Sequence, residues 1–144
     1  MGNICRSPMA EWIMKEKIKE RYHEEIEVTS RATSYEEEGN DMYPQAKEKL
    51  REKKIPYGPH QAKRLEIGDY DTYDYFICME KKNVKNAYSI LKGDPENKIF
   101  RLLDFTPLKR DISDPWYTGD FELTYQDLEL GINYLLKYLE KKGD

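Results

Sequence analysis

Hydrophobic residues repeat with a helical period in several stretches of the chain. The last stretch is the most regular, and its apolar residues step by four and three: Phe121, Tyr125, Leu128, Ile132, Leu135 and Leu139. Such a stripe predicts a long amphipathic helix that packs on one face. Ala10, Ile13, Met14 and Ile18 predict a first helix, capped by Ser7 with Pro8 at its first position. A short charged helix is predicted to open at Pro44, and another around Val84, Ala87, Tyr88 and Leu91.

Three other stretches have the patterns of β-strands. Residues 26–30 alternate and are rich in β-branched side chains, which favours a half-buried strand. Residues 74–79 form a nearly continuous apolar run, typical of a strand buried on both faces, and residues 98–103 predict another strand. Because strands alternate with helices, the pattern predicts an α/β domain with a parallel sheet.

Composition narrows the class of protein. A chain of 144 residues fits one domain, residues 1–144, around one core. The net charge of −4 argues against a nucleic-acid partner, and no apolar run approaches the length of a membrane span. There are two cysteines, Cys5 and Cys78, whereas a small secreted domain usually carries more of them in pairs. We therefore expect a location in a reducing cytoplasm.

The run Gly2-Asn3-Ile4-Cys5-Arg6-Ser7-Pro8 has the chemistry of an anion-binding loop. Gly2 and Asn3 tolerate the backbone angles of a tight nest, and the free N–H groups of the following helical turn point toward the anion. Arg6 adds a planar fork that matches two phosphate oxygens, and the Ser7 hydroxyl can also donate. The run therefore predicts a site for a phosphate-like group.

This run resembles the loop Cys-x-Gly-Asn-x-Cys-Arg-Ser-Pro of the low-molecular-weight protein tyrosine phosphatases. The resemblance continues through Met9-Ala10-Glu11 and Ser30-Arg31-Ala32-Thr33, and reaches Asp114-Pro115-Trp116-Tyr117 before the final helix. It covers essentially the whole chain. It implies a small doubly wound parallel sheet with helices on both faces.

The same resemblance implies a site and a two-step reaction. A thiolate would attack the phosphorus of phosphotyrosine, and water would hydrolyse the phosphocysteine. Arg6 would bind phosphate and stabilise the transition state, while Asp114 would act first as general acid and then as general base. No metal or cofactor is implied. The implied phosphate cradle consists of Gly2, Asn3, Ile4, Cys5, Arg6 and Ser7. The implied aromatic pocket consists of Tyr35, Trp116 and Tyr117.

The nucleophile of the family pattern does not fall within these 144 residues. It lies six positions before Arg6, which is one position before Met1, and Cys5 is the second cysteine of the pattern. We expect a start-site artefact, with the first strand of the fold and the cysteine encoded upstream. The chain as given is then expected to be inactive and to self-associate through an unpaired sheet edge. The alternative is a pseudophosphatase that binds phosphate or phosphotyrosine without catalysis.

Three substrate classes fit such a loop. Relatives that act on phosphoarginine tend to carry Thr where this chain has Ile4, so Ile4 favours phosphotyrosine proteins. Arsenate reductases need further reactive cysteines, and Cys78 has no partner nearby in the sequence. The expected partners are thus a phosphotyrosine-containing protein and, in the empty loop, inorganic phosphate or sulfate.

Overall fold

The computed structural model describes residues 6–20, 26–31, 44–58, 63–114 and 118–143 as helices, a parallel sheet and connecting segments. In chain order the elements are α1 (Arg6–Glu20), α2 (Pro44–Glu52), α3 (Asp69–Thr72), β1 (Phe76–Cys78), α4 (Lys81–Leu91), β2 (Ile99–Arg101), a 3-10 turn (Leu102–Phe105) and α5 (Phe121–Gly143). In this described part of the chain, no helix is long and apolar enough to span a bilayer.

The sheet consists of β1 and β2, which run parallel. Phe76 pairs with Ile99, and Cys78 pairs with Arg101. The helix α4 forms the crossover between them, as parallel strands require. The protein is therefore an α/β fold with a small parallel sheet and packed helices, as the alternation of patterns predicted.

Residues 26–31 are not assigned to a strand. Their burial alternates as expected, with Ile26 and Val28 partly buried and Glu27 and Thr29 exposed. The predicted strand over 26–30 is therefore wrong by the criterion of hydrogen-bonded pairing. The period-two pattern determines which side chains face the interior, whereas a ladder also needs a partner backbone at the right distance.

A cavity of about 1200 Å³ is lined both by residues 26–31 and by β1. Its walls also include apolar side chains from α1 and α5: Ala10, Met14, Ile132, Leu135, Tyr138 and Leu139. This space is large enough to hold several residues of polypeptide.

The helices pack around one large cluster of buried side chains. Its members come from α1, α2, α5 and the segments that follow β1 and β2, and the fully buried ones include Met9, Ile13, Leu50, Leu102, Leu103, Ile112, Leu128, Ile132 and Leu136. A smaller cluster joins α3, the sheet and α4 through Leu65, Tyr70, Phe76, Cys78, Ala87, Leu91 and Ile99. Most of the predicted apolar stripe of α5 belongs to, or packs against, the large cluster.

Several predicted boundaries need correction. The helix α1 begins at Arg6, so Ser7 lies inside it and does not precede it as a cap. Pro8 is compatible with this position because the first four N–H groups of a helix have no intrahelical acceptor. Residues 102 and 103, which were predicted to end the third strand, belong to the 3-10 turn. Tyr88, which was predicted to lie on the apolar stripe of α4, is 44% exposed.

Candidate active site

The structure describes two of the predicted catalytic parts, the start of α1 and the loop that carries Asp114. The backbones of Arg6 and Ser7 form the first turn of α1, while their side chains lie outside the described part. Asp114 lies partly buried in the segment between the 3-10 turn and α5. The other predicted site residues lie outside the described residues: Gly2, Asn3, Ile4, Cys5, Tyr35, Trp116 and Tyr117.

Hydrophobic packing joins these two parts. Met9, three residues after Arg6, is fully buried, and Ile112, two residues before Asp114, is 2% exposed. Both belong to the same core cluster, which also contains Leu128 of α5. The motifs from opposite ends of the sequence therefore rest on one core, as a shared site requires.

The segment before Asp114 is fixed to the end of β1. The Ile112 amide donates to the carbonyl of Met79 at 2.9 Å, directly after the last residue of that strand. The Asp111 carboxylate accepts from the Lys81 amide and from the Arg101 guanidinium, each at 2.9 Å. The segment thus lies at the carboxyl end of a parallel strand, where α/β folds bind their ligands.

Two buried polar side chains of α5 hold the residue before Asp114. The Asp127 carboxylate accepts from Arg110 Nη1 at 2.9 Å, from Arg110 Nη2 at 2.8 Å and from the Ser113 amide at 2.9 Å. The Thr124 hydroxyl donates to the Ser113 carbonyl at 2.8 Å. The hydrogen bonds to Asp127 raise the pKa of Arg110.

Asp114 is also tied to Thr118, shortly before α5 begins. The Thr118 amide donates to the Asp114 carbonyl at 3.1 Å. Asp120 then caps the helix, since its carboxylate accepts from the Leu123 amide at 2.9 Å. Gly119, with φ of +72°, makes the turn between them in a conformation that favours glycine. Asp114 is therefore held from both sides.

A second set of polar contacts fixes residues 30 and 31 against α1 and against the residue that follows α3. Glu11 is 8% exposed, and its carboxylate accepts from the Ser30 hydroxyl and from Lys15, each at 2.7 Å. Arg31 Nη2 donates to the Tyr73 hydroxyl at 3.0 Å. The quoted motifs Met9-Ala10-Glu11 and Ser30-Arg31 are therefore in direct contact through a hydrogen bond.

Cys78 lies buried in β1, as its apolar neighbours predicted. Burial raises the pKa of its thiol to about 12. Because the thiolate is the reactive form of cysteine, Cys78 is poorly suited to act as a nucleophile near neutral pH.

Sequence reasoning missed Arg110, Thr124 and Asp127. Thr124 and Asp127 gave a signal, since they are polar residues beside the apolar stripe of α5, close to Phe121 and Leu128. A polar group on a buried helix face needs a partner. Those partners could not be identified from the sequence, because they lie 11 to 17 residues away along the chain.

Comparison with known proteins identifies the family. A sequence profile described as "Low molecular weight phosphotyrosine protein phosphatase" matches residues 1–144. The PtpA low-molecular-weight protein-tyrosine-phosphatase of Staphylococcus saprophyticus is 34% identical over 145 residues, covering 100% of this chain and 92% of the relative. The chain belongs to the low-molecular-weight protein tyrosine phosphatase family.

Two solved structures have the same fold. The crystal structure of YfkJ from Bacillus subtilis has a TM-score of 0.94 and 32% identity, covering 100% of this chain and 92% of that one. The low-molecular-weight protein tyrosine phosphatase SP-PTP from Streptococcus pyogenes has a TM-score of 0.85 and 36% identity, covering 96% and 88%. The expected resemblance in fold is thus confirmed.

Proposed function

We propose that this protein hydrolyses phosphotyrosine in other proteins, using a cysteine that stands one position before Met1. The observation that carries the proposal is the pair of motifs around Arg6 and Asp114, each in its family position. Support comes from the anchoring of Asp114 at the carboxyl end of β1 and from the core that it shares with the start of α1.

The proposed reaction has two steps. The thiolate attacks phosphorus, the S–P bond forms, the P–O bond to tyrosine breaks, and Asp114 protonates the departing oxygen. Water then attacks phosphorus while the Asp114 carboxylate takes its proton, and the S–P bond breaks to release inorganic phosphate. Arg6 pairs with the equatorial phosphate oxygens in both steps, where charge develops.

The loop and its neighbours would recognise the substrate. The backbone N–H groups of residues 2–7 meet the phosphate oxygens at the helix N-terminus, a site that inorganic phosphate or sulfate can also occupy. Tyr35, Trp116 and Tyr117 are proposed to flank the phenyl ring. Ile4 favours phosphotyrosine over phosphoarginine, and the buried Cys78 disfavours arsenate reduction. A cytoplasmic location stays a prediction based on the two cysteines.

The large cavity supports the proposal that the active form carries one more strand. An extended segment between residues 26–31 and β1 would give both backbones a pairing partner. Its alternate side chains would meet the apolar walls from α1 and α5. Residues 1–144 alone are then proposed to be inactive, and the open edge of β1 to favour self-association.

The test compares two polypeptides of verified intact mass. One is residues 1–144, and the other adds an apolar strand that ends in Cys directly before residue 1, so that residue 1 is the position after the cysteine in the family loop. We expect phosphate release from a phosphotyrosyl peptide only from the longer form. Arg6→Ala or Asp114→Ala should lower that rate by about 10²-fold or more. Turnover by residues 1–144, or full activity in both variants, would contradict the proposal.

The second candidate is a pseudophosphatase that binds phosphate or phosphotyrosine without catalysis, because the anion-binding run around Arg6 can hold a phosphate group without a nucleophile. This function predicts that residues 1–144 themselves bind a phosphotyrosyl peptide in titration calorimetry and release no phosphate. It also predicts that Arg6→Ala abolishes binding, whereas Asp114→Ala leaves it unchanged.

A further inference from the structure

Asp127 is a buried carboxylate that the proposed reaction does not use. It is 4% exposed, yet it lies on the face of α5 that packs into the core beside Leu128. A buried carboxylate is unfavourable unless it is paired and hydrogen-bonded. All of its described hydrogen bonds go to the segment before Asp114, from both terminal nitrogens of Arg110 and from the Ser113 amide.

Thr124, one turn earlier on α5, completes the attachment. It is fully buried, and its hydroxyl donates to the Ser113 carbonyl at 2.8 Å. That carbonyl belongs to the peptide bond that enters Asp114. The amide and the carbonyl of Ser113 are therefore both hydrogen-bonded to α5. Because a peptide bond is planar, these two hydrogen bonds fix the orientation of the peptide group that leads into Asp114.

Arg110 balances the charge of this attachment. Its guanidinium forms a two-pronged pair with Asp127, and Nη1 also donates to the Asp111 carbonyl at 2.9 Å. A planar fork matches a carboxylate with defined geometry, so the pair also sets the distance between the loop and α5. A hydrophobic side chain at residue 127 could fill the core, but it would provide no such alignment.

We infer that Asp127 and Thr124 are positioning residues for Asp114, acting through the two polar groups of Ser113. The inference rests on the proposed function, in which Asp114 protonates the departing oxygen. Proton transfer depends on hydrogen-bond geometry, and a displacement of about 1 Å can cost on the order of 10²-fold in rate. A purely structural role would lower stability without a selective effect on proton transfer.

The leaving group provides the selective readout. Tyrosine, with a pKa of about 10, needs protonation as it departs far more than p-nitrophenol does. In the longer, cysteine-bearing form, Thr124→Val and Asp127→Asn should lower kcat/KM for phosphotyrosine by about tenfold, and by clearly less for p-nitrophenyl phosphate. Thr106→Val is the matched control, since it removes another buried hydroxyl, one that donates to the Leu103 carbonyl at 2.7 Å.

The control should leave the ratio of the two kcat/KM values unchanged. Equal losses for both substrates in Thr124→Val and Asp127→Asn, matching those of Thr106→Val, would overturn the inference.

If the parent hydrolyses neither substrate, the proposed function fails by itself. Positioning is then judged in residues 1–144 by the ¹³C shift of the Asp114 carboxyl group, which should move in Thr124→Val but not in Thr106→Val. An unmoved shift in Thr124→Val would overturn the inference.

Discussion

Leu102 packs against the bare backbone of Gly131 in the middle of α5. A Cβ atom at residue 131 would lie 2.5 Å from Leu102 Cγ and 2.8 Å from its Cδ2 atom. Leu102 is 1% exposed and opens the 3-10 turn directly after β2. A glycine inside a helix costs roughly 1 kcal/mol relative to alanine, so its presence here reflects the close approach of α5 to the end of the sheet.

Gly131→Ala should therefore destabilise the protein, although alanine favours the helix. Overpacking against Leu102 is expected to cost about 1–3 kcal/mol, which exceeds or cancels the helical gain of about 1 kcal/mol. Urea denaturation measures the difference. In a Leu102→Ala background the same substitution should be neutral or stabilising. A more stable Gly131→Ala single variant would contradict the observed packing.

Asp94 ties the end of α4 to the start of β2. Its carboxylate accepts from the Tyr70 hydroxyl at 2.6 Å, from the Lys98 amide at 2.7 Å and from the Ile99 amide at 3.0 Å. Burial alone would raise the pKa of this carboxyl group, but these hydrogen bonds outweigh burial, and the pKa of Asp94 is lowered. The ionised form is thus the one that stabilises the fold.

This lowered pKa predicts a pH dependence. Stability from Asp94 is complete above its unfolded pKa of about 3.9, and it is lost as the pH falls through the lower folded value. Asp94→Asn should cost about 1–3 kcal/mol at pH 7, because its NH₂ group would face backbone donors. The difference between the two proteins in urea denaturation should shrink below about pH 4. A difference that does not change with pH would refute the ionic role of Asp94.

Arg110 and Asp127 should behave as a coupled pair in stability. Arg110→Met removes a neighbour of a buried carboxylate and is expected to cost about 2 kcal/mol, less than a fully buried pair because Arg110 is half exposed. Asp127→Leu in the same chain should recover part of that loss, since no buried charge then remains. Thermal unfolding of the single and double variants measures the coupling, and purely additive losses would contradict it.

Cys78 should react slowly with thiol reagents. Burial raises the pKa of its thiol to about 12, so little thiolate forms at pH 8. In a Cys5→Ser background, the native protein should react with Ellman's reagent far more slowly than the protein unfolded in guanidinium chloride. Equal rates in the two states would show that the thiol is accessible in the fold.

The sequence pattern predicted what depends on local periodicity. The stripe from Phe121 to Leu139 defined α5, and the apolar run at 74–79 located β1. The four-residue helix α3 was missed, because it is too short to show a period. The segment at 26–31 shows the other limit, since alternation of polar and apolar residues carries no information about whether a partner backbone is present.

In the candidate site too, local motifs could be predicted from the sequence, whereas contacts between distant segments could not. Asp114 was predicted from its motif, whereas the contacts of Thr124 and Asp127 required the fold, because their partners are remote in sequence. Glu11 and Ser30 stood in separate motifs, and only the structure shows that they are hydrogen-bonded to each other. Roles that depend on contacts between distant segments are therefore the ones that sequence patterns leave open.

Trapping of the covalent intermediate tests the proposed reaction most directly. The longer form is mixed with p-nitrophenyl phosphate, quenched in acid, digested and analysed by mass spectrometry. We predict one phosphoryl group on the cysteine that precedes Met1, none on Cys5 or Cys78, and no adduct when that first cysteine is replaced by serine. Phosphate release without an adduct on that cysteine, or an adduct on Cys5, would contradict the proposed nucleophile.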